Sequence, residues 1–245
     1  MKQIAIVLYP GLTALDALGP YEVLKMLPDT EIRFVAHEPG PITSDRGVLT
    51  IGATHSFDET PAPYLLLIPG SEANTATAMA DDKLIAWIKK AHQSSTWTTS
   101  VCSGALVLAA AGLLAGLPAT THWAAQSQLP RFGATPMRNE RMVRAGKIWT
   151  AAGVSADIDL AFALFAEIAG QEDAEIAQLI LEYDPQPPFH AGHPSKASDI
   201  VRRKAKAEMA RLSKNPRNYI SVMKLLWRSA IERSRKTKQG RPGSA

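Results

Sequence analysis

Short apolar runs rich in β-branched residues alternate with longer stretches of helical periodicity, and this alternation limits the possible folds more than any other feature of the chain. Strand-like runs fall at residues 4–8, 33–36, 65–68, 98–101, 119–121 and around 148–150. Helical patterns fall at 16–26, 82–93, 103–114, 122–129, 156–168 and 174–181. Repeated strand–helix units predict an α/β fold around a mostly parallel sheet. In the second helical pattern Leu84, Trp87, Ile88 and Ala91 recur at helical spacing, which gives that helix one apolar face to lay on a sheet. Residues 45–54 read as a small hairpin excursion.

The composition changes at "DPQPPFHAGHP", a proline-rich connector in which no helix can run. The expected organisation is a main domain over 1–183, the connector over 184–195, a basic helical extension over 196–233, and a tail over 234–245 with the composition of a disordered segment. The extension holds two helical patterns, about 198–212 and 219–233. The second sets Tyr219, Val222, Met223 and Leu226 on one face, which needs a surface to cover it. The formal charge of +4 hides an asymmetry, since about 15 Lys and Arg against about 3 acidic residues lie from Lys196 onward. Clustered cations suit phosphate binding. Two helices are nevertheless short for a regulatory DNA-binding domain of two helix-turn-helix units, so a solvated face is preferred and nucleic acid is not expected as a partner.

At 245 residues the chain is long enough for one α/β domain with a substantial core. No apolar run reaches the length of a spanning helix, and "MKQIAIVLYPG" reads as a first strand rather than a signal peptide, so a cytoplasmic protein away from membranes is expected. The single cysteine excludes an intrachain disulfide, and no Cys/His cluster has zinc-site spacing. Neither metal nor cofactor is expected.

In an open parallel sheet, functional groups gather beyond the carboxyl ends of the strands. The first strand is followed by "YPGLTALDALGPYEVL", which puts Asp16 at or near a helix start. The third ends in "LLLIPGSEANT", where the turn at Gly70 and Ser71 exposes backbone N–H groups suited to a developing negative charge. The fourth ends in "SVCSG". There Cys102 lies between a strand and a helix, where a sharp turn exposes a nucleophile and the helix N-terminus favours a thiolate. Taken locally, an inert buried thiol and a nucleophile both remain open for Cys102, as do a helix cap and a proton donor for Asp16. His122 and Trp123 stand at the next strand-to-helix junction, and Gly153 and Val154 at the last. Each of these four is either a pocket residue or an ordinary packing or turn residue.

The segments "YPGLTALDALGPYEVL", "IPGS", "TSVCSGALVLAAAGLLAGLPATTHW" and "AAGVSADIDLAFAL", in this order and spacing, resemble the ThiJ/PfpI family of the class I glutamine amidotransferase-like superfamily, and within it the branch that hydrates isonitriles. The resemblance covers roughly residues 3–195. It implies a flavodoxin-like three-layer sandwich, a homodimer, and cofactor-independent hydration of a small isonitrile. It also implies a nucleophile at Cys102 and an acidic partner at Asp16. Ser103 stands where this branch carries a Thr, so the hydroxyl is kept and a methyl is lost. Two other readings fit the same residues: a redox-sensing protein acting through Cys102, and a remnant of a DNA-associated regulator.

Overall fold

The computed structural model describes residues 1–212, 220, 221 and 223–225. In chain order the elements are β1 (Lys2–Val7), α1 (Ala14–Leu24), β2 (Thr30–Ala36), β3 (Gly40–Thr43), β4 (Thr50–Ala53), β5 (His55–Ser56), β6 (Leu65–Ile68), α2 (Thr75–Met79), α3 (Asp82–Ser94), β7 (Trp97–Ser100), α4 (Gly104–Ala110), β8 (Pro118–Ala119), a 3-10 segment (Gln126–Phe132), β9 (Thr135–Pro136), β10 (Met142–Ala145), β11 (Ile148–Ala151), α5 (Ala156–Ala169), α6 (Gln171–Ile180) and α7 (Asp199–Leu212).

Seven strands form the central sheet in the order β10-β11-β7-β6-β1-β2-β5. All neighbours pair in parallel except the edge pair β10–β11. β6 and the inner part of β1 are fully buried, as expected of central parallel strands covered on both faces. Helix α1 packs against α5, and α4 against α2 and α3, giving the three-layer α/β sandwich. The apolar stripe of α3 faces inward as its spacing requires: Leu84, Trp87, Ile88 and Ala91 are all buried, and Asp81 caps the helix by accepting the Leu84 N–H.

The structure departs from the sequence reading at identifiable points. The strand expected at 119–121 is only the pair β8–β9, outside the main sheet. Beyond it the backbone turns aside, and Thr120 N–H and Thr121 Oγ1 bond to Thr150 and to the Cys102 carbonyl. The helix expected at 122–129 is replaced by the later 3-10 segment, which contains Pro130, a residue with no N–H for an α-helical ladder. Helix α4 stops at Ala110 because Gly112, at φ +78°, lets the Leu113 N–H close back on the Leu108 carbonyl. The excursion expected at 45–54 is a hairpin that begins earlier, with β3 at 40–43 pairing antiparallel with β4. No regular element occupies 181–198, and α7 follows with no buried residue.

Most of the helix expected at 219–233 lies outside the described residues. Of the expected face, Tyr219, Val222 and Leu226 lie outside the described residues, and Met223 is exposed. Ser221 is buried and bonds Thr77, and Lys224 Nζ donates to the Ala80 carbonyl at the end of α2, 2.7 Å away, while pairing with Asp82. Carbonyls left open at a helix end attract a cation.

Gly104 opens α4 so close to β6 that an added Cβ would lie 2.3 Å from the Ile68 carbonyl oxygen. Gly104→Ala is therefore expected to cost about 1–3 kcal/mol in urea unfolding and to speed labelling of Cys102 by a thiol reagent as the turn is pushed outward. Gly112→Ala, where a Cβ meets nothing, is expected to cost about 1–2 kcal/mol through its backbone alone, with labelling unchanged.

Candidate active site

Four adjacent strands, β11, β7, β6 and β1, deliver the site from their carboxyl ends. Cys102, directly beyond β7, adopts φ +55°, a conformation that costs a non-glycine residue energy and persists only when neighbours hold it. Its N–H donates to the Ala152 carbonyl at 2.8 Å, and its carbonyl accepts from Thr121 Oγ1 at 2.7 Å and the His122 N–H at 3.2 Å. The turn after β6 presses against it. A Cβ on Gly70 would lie 2.6 Å from the Ser103 nitrogen and 2.9 Å from Cys102 Cβ, so only glycine fits. Cys102 as a whole is 6% exposed.

Asp16 is fully buried in the first turn of α1, whose N-cap is Thr13. Its Oδ2 accepts the Gly70 N–H at 2.7 Å, and the carboxyl also interacts with the Cys102 thiol. Oδ1 has no other hydrogen-bond partner among the described residues. Burial is the main reason that Asp16 is pushed up to about 8, and the charges of Asp157 and Asp45 add to it against the Gly70 N–H. At neutral pH the carboxyl is protonated.

The sequence reading had the helix N-terminus favour a thiolate, and here the electrostatics run the other way. Burial pushes the Cys102 thiol up, and an ionised Asp16 pushes it further; the N–H groups of Ser103 and Val154 and the Ser103 hydroxyl oppose this without overcoming it. The Asp16 contribution disappears once that carboxyl is protonated. Thiol and carboxyl therefore titrate as one coupled pair.

Gly70 and Ser71 also need correction as free backbone donors. The Gly70 N–H is committed to Asp16, and the Ser71 N–H donates to Ser103 Oγ at 3.0 Å. The Ser71 side chain turns away, its Oγ donating to the Gly11 carbonyl at 2.5 Å and accepting the Asn74 N–H at 2.8 Å. The backbone donors directed at the sulfur are instead those of Ser103 and Val154. Ser103 Oγ does not reach toward Asp16. It meets Ser71 and, at 2.7 Å, Thr75 Oγ1, which in turn donates to the Ser71 carbonyl.

His122 and Trp123 are half-buried next to the elbow, with ring centroids 5.7 Å apart. The His122 ring covers Gly153, where a Cβ would lie 2.7 Å from Cδ2, and burial holds the imidazole below its usual pKa, hence neutral. It reaches Cys102 through backbone alone. Three further polar residues belong to this region and carried no sequence signal that singled them out. Tyr9, the second residue beyond β1, donates from its hydroxyl to the Pro69 carbonyl at 2.9 Å and feels both Asp16 and Cys102. Thr75 sits in a short helix with no apolar period. Asp157 reads as an ordinary first-turn carboxylate of α5, yet it is fully buried against Gly19 of α1, with Oδ2 unpartnered among the described residues and its pKa pushed up to about 7, chiefly by burial. Among the described residues no three His, Cys, Asp or Glu side chains cluster as metal ligands.

Comparison with known proteins accords with this arrangement. Residues 2–167 match the DJ-1/PfpI family. An isonitrile hydratase from Pseudomonas putida is 40% identical over 208 residues, spanning 85% of this chain and 90% of that protein. The crystal structure of a ThiJ/PfpI family protein from Pseudomonas syringae superposes with a TM-score of 0.83 at 39% identity, covering 87% of this chain and 88% of the other. That of Drosophila melanogaster DJ-1beta shares the fold at a TM-score of 0.68 and 17% identity, covering 75% of this chain and 99% of the other. A thiol on a strained strand-to-helix turn, a buried carboxyl beside it and these similarities together make the chain a member of the DJ-1/PfpI family.

Proposed function

We propose that the protein hydrates isonitriles, R–NC, to N-substituted formamides, with Cys102 as nucleophile and Asp16 as proton donor and then base. The observation that carries this reading is the Asp16 carboxyl, buried, kept protonated at neutral pH and set between the Gly70 N–H and the Cys102 thiol. The similarity to isonitrile hydratase supports it. A linear isonitrile presents a slender terminal carbon, which suits a buried cysteine.

The active form of the pair holds one proton, on Asp16. The Cys102 thiolate forms a bond to the isonitrile carbon while Asp16 delivers its proton to the same carbon, giving an S-bound thioimidate, –S–CH=N–R, and an Asp16 carboxylate. That carboxylate takes a proton from water as the hydroxide adds to the thioimidate carbon and passes it to the nitrogen, giving –S–CH(OH)–NH–R and the Asp16 carboxylate again. Collapse to the carbonyl breaks the C–S bond, releases R–NH–CHO, and returns the proton to Asp16 and the charge to sulfur. The N–H groups of Ser103 and Val154 stabilise the thiolate at both ends of the cycle. Ser103 holds the turn after β6 against the elbow, and its hydroxyl also reaches the sulfur.

With cyclohexyl isocyanide as substrate, wild type is expected to form the formamide and Cys102→Ala to form none above background. Asp16→Asn is expected to lose about 10²–10⁴-fold. Persistent turnover in Cys102→Ala removes the covalent route, and a wild type inert toward several isonitriles removes the assignment. Ser103→Ala leaves the buried Ser71 N–H without its acceptor and is expected to cost about 1–3 kcal/mol in urea unfolding, whereas Ser103→Thr keeps the hydroxyl and restores stability.

The pH profile follows from the pair. The fully protonated resting pair lacks a nucleophile and the fully ionised pair lacks a proton donor, so kcat/KM is expected to rise as the first proton leaves and to fall as the second does. Asp157→Asn removes a charge that raises Asp16, so the rising limb is expected to move to lower pH. A limb that stays in place or moves upward rejects that coupling.

A further inference from the structure

A surface cavity of about 730 Å³ opens beside the site, between helix α7 and the segment that follows β8. It is within the size range of small-ligand pockets, about 300–1,000 Å³. Its lining includes Trp123, Gln126, Arg138, Arg202, Arg203 and Lys206, with Asp199 as the one carboxylate. Asp199 pairs with Arg202, whose guanidinium also donates to the Pro194 carbonyl at 3.2 Å, so that residue forms a fixed wall. Arg138, Arg203 and Lys206 have no ion-pair partner among the described residues. Three uncompensated cations around one concavity repel each other, and a bound anion relieves that repulsion.

The wall also offers an aromatic surface. Lys206 Nζ stands 6.0 Å over the Trp123 ring, which brings a cation and an indole together on one side of the cavity.

We propose that this cavity binds a small organic anion of two or more charges built on a planar ring, the ring lying against Trp123 and the phosphate or carboxylate groups held by Arg138, Arg203 and Lys206. Guanidinium forks suit both kinds of anion. A recessed cavity suits a small ligand better than a nucleic-acid duplex, whose phosphates lie on a convex surface. Trp123 follows His122, whose backbone bonds the Cys102 carbonyl, so the ligand would sit one residue away from the elbow's support.

Isothermal titration of the full chain with adenosine 5′-monophosphate, adenosine and inorganic phosphate tests this. The expected result is that the monophosphate binds at least tenfold more tightly than adenosine, which has the ring without the charge, or phosphate, which has the charge without the ring. Benzene-1,3,5-tricarboxylate is the second arm: binding tighter than the monophosphate assigns carboxylates, and weaker binding assigns phosphate. Arg203→Ala and Arg138→Ala, at two exposed positions, are each expected to weaken the better probe about tenfold at an unchanged Tm. Equal affinity for the monophosphate and inorganic phosphate, indifference to both Arg substitutions, or a DNA duplex binding more tightly than either small probe would overturn the proposal.

Discussion

The hydrogen bond from the Gly70 N–H to Asp16 Oδ2 is the contact on which the site depends. It joins the turn after β6 to the first turn of α1, two elements 54 residues apart in sequence, and it holds a carboxyl where burial alone would expel a charge. The same glycine leaves just enough room for the strained Cys102 turn to seat against it. A larger residue at 70 would break both relations at once. The sheet makes this possible because β1, β6, β7 and β11 are immediate neighbours, so four loops separated along the chain end on one edge.

Much of this was legible in the sequence. The alternation of apolar runs located the strands, the stripe on α3 gave its buried face, and the positions of Asp16, Gly70 and Cys102 after the first, third and fourth expected strands brought them to one edge. The failures have a common physical origin. Periodicity reports which faces are apolar; it does not report where a backbone N–H is already spent, which is why Gly70 and Ser71 read as open donors. Nor does it report depth. The sign of the thiol's shift depends on burial by groups distant in sequence, and the helix-dipole argument, made from neighbours in the chain, gave the opposite direction. Asp157 shows the same limit, since its meeting with Gly19 is a product of α1–α5 packing and nothing local distinguishes it from a helix-capping carboxylate.

Two buried carboxyls, both raised by desolvation, therefore lie on one helix pair, and one of them adjoins a buried thiol. In such an environment charge is expensive and protons are plentiful, so the chemistry that fits passes a single proton back and forth while only one negative charge exists at a time. The proposed hydration has this property at every step. The backbone donors of Ser103 and Val154 lower the cost of holding that charge on sulfur without making it the resting state.

The depth of Cys102 also has a bearing on how long the protein lasts. Oxidation to sulfenic and higher acids proceeds through an accessible thiolate. Cys102 is 6% exposed and its thiol is pushed up by burial, so it offers peroxide less charge and less approach than an exposed thiolate does. On the proposed reading, the burial that makes the thiolate costly also slows the oxidation that would consume it.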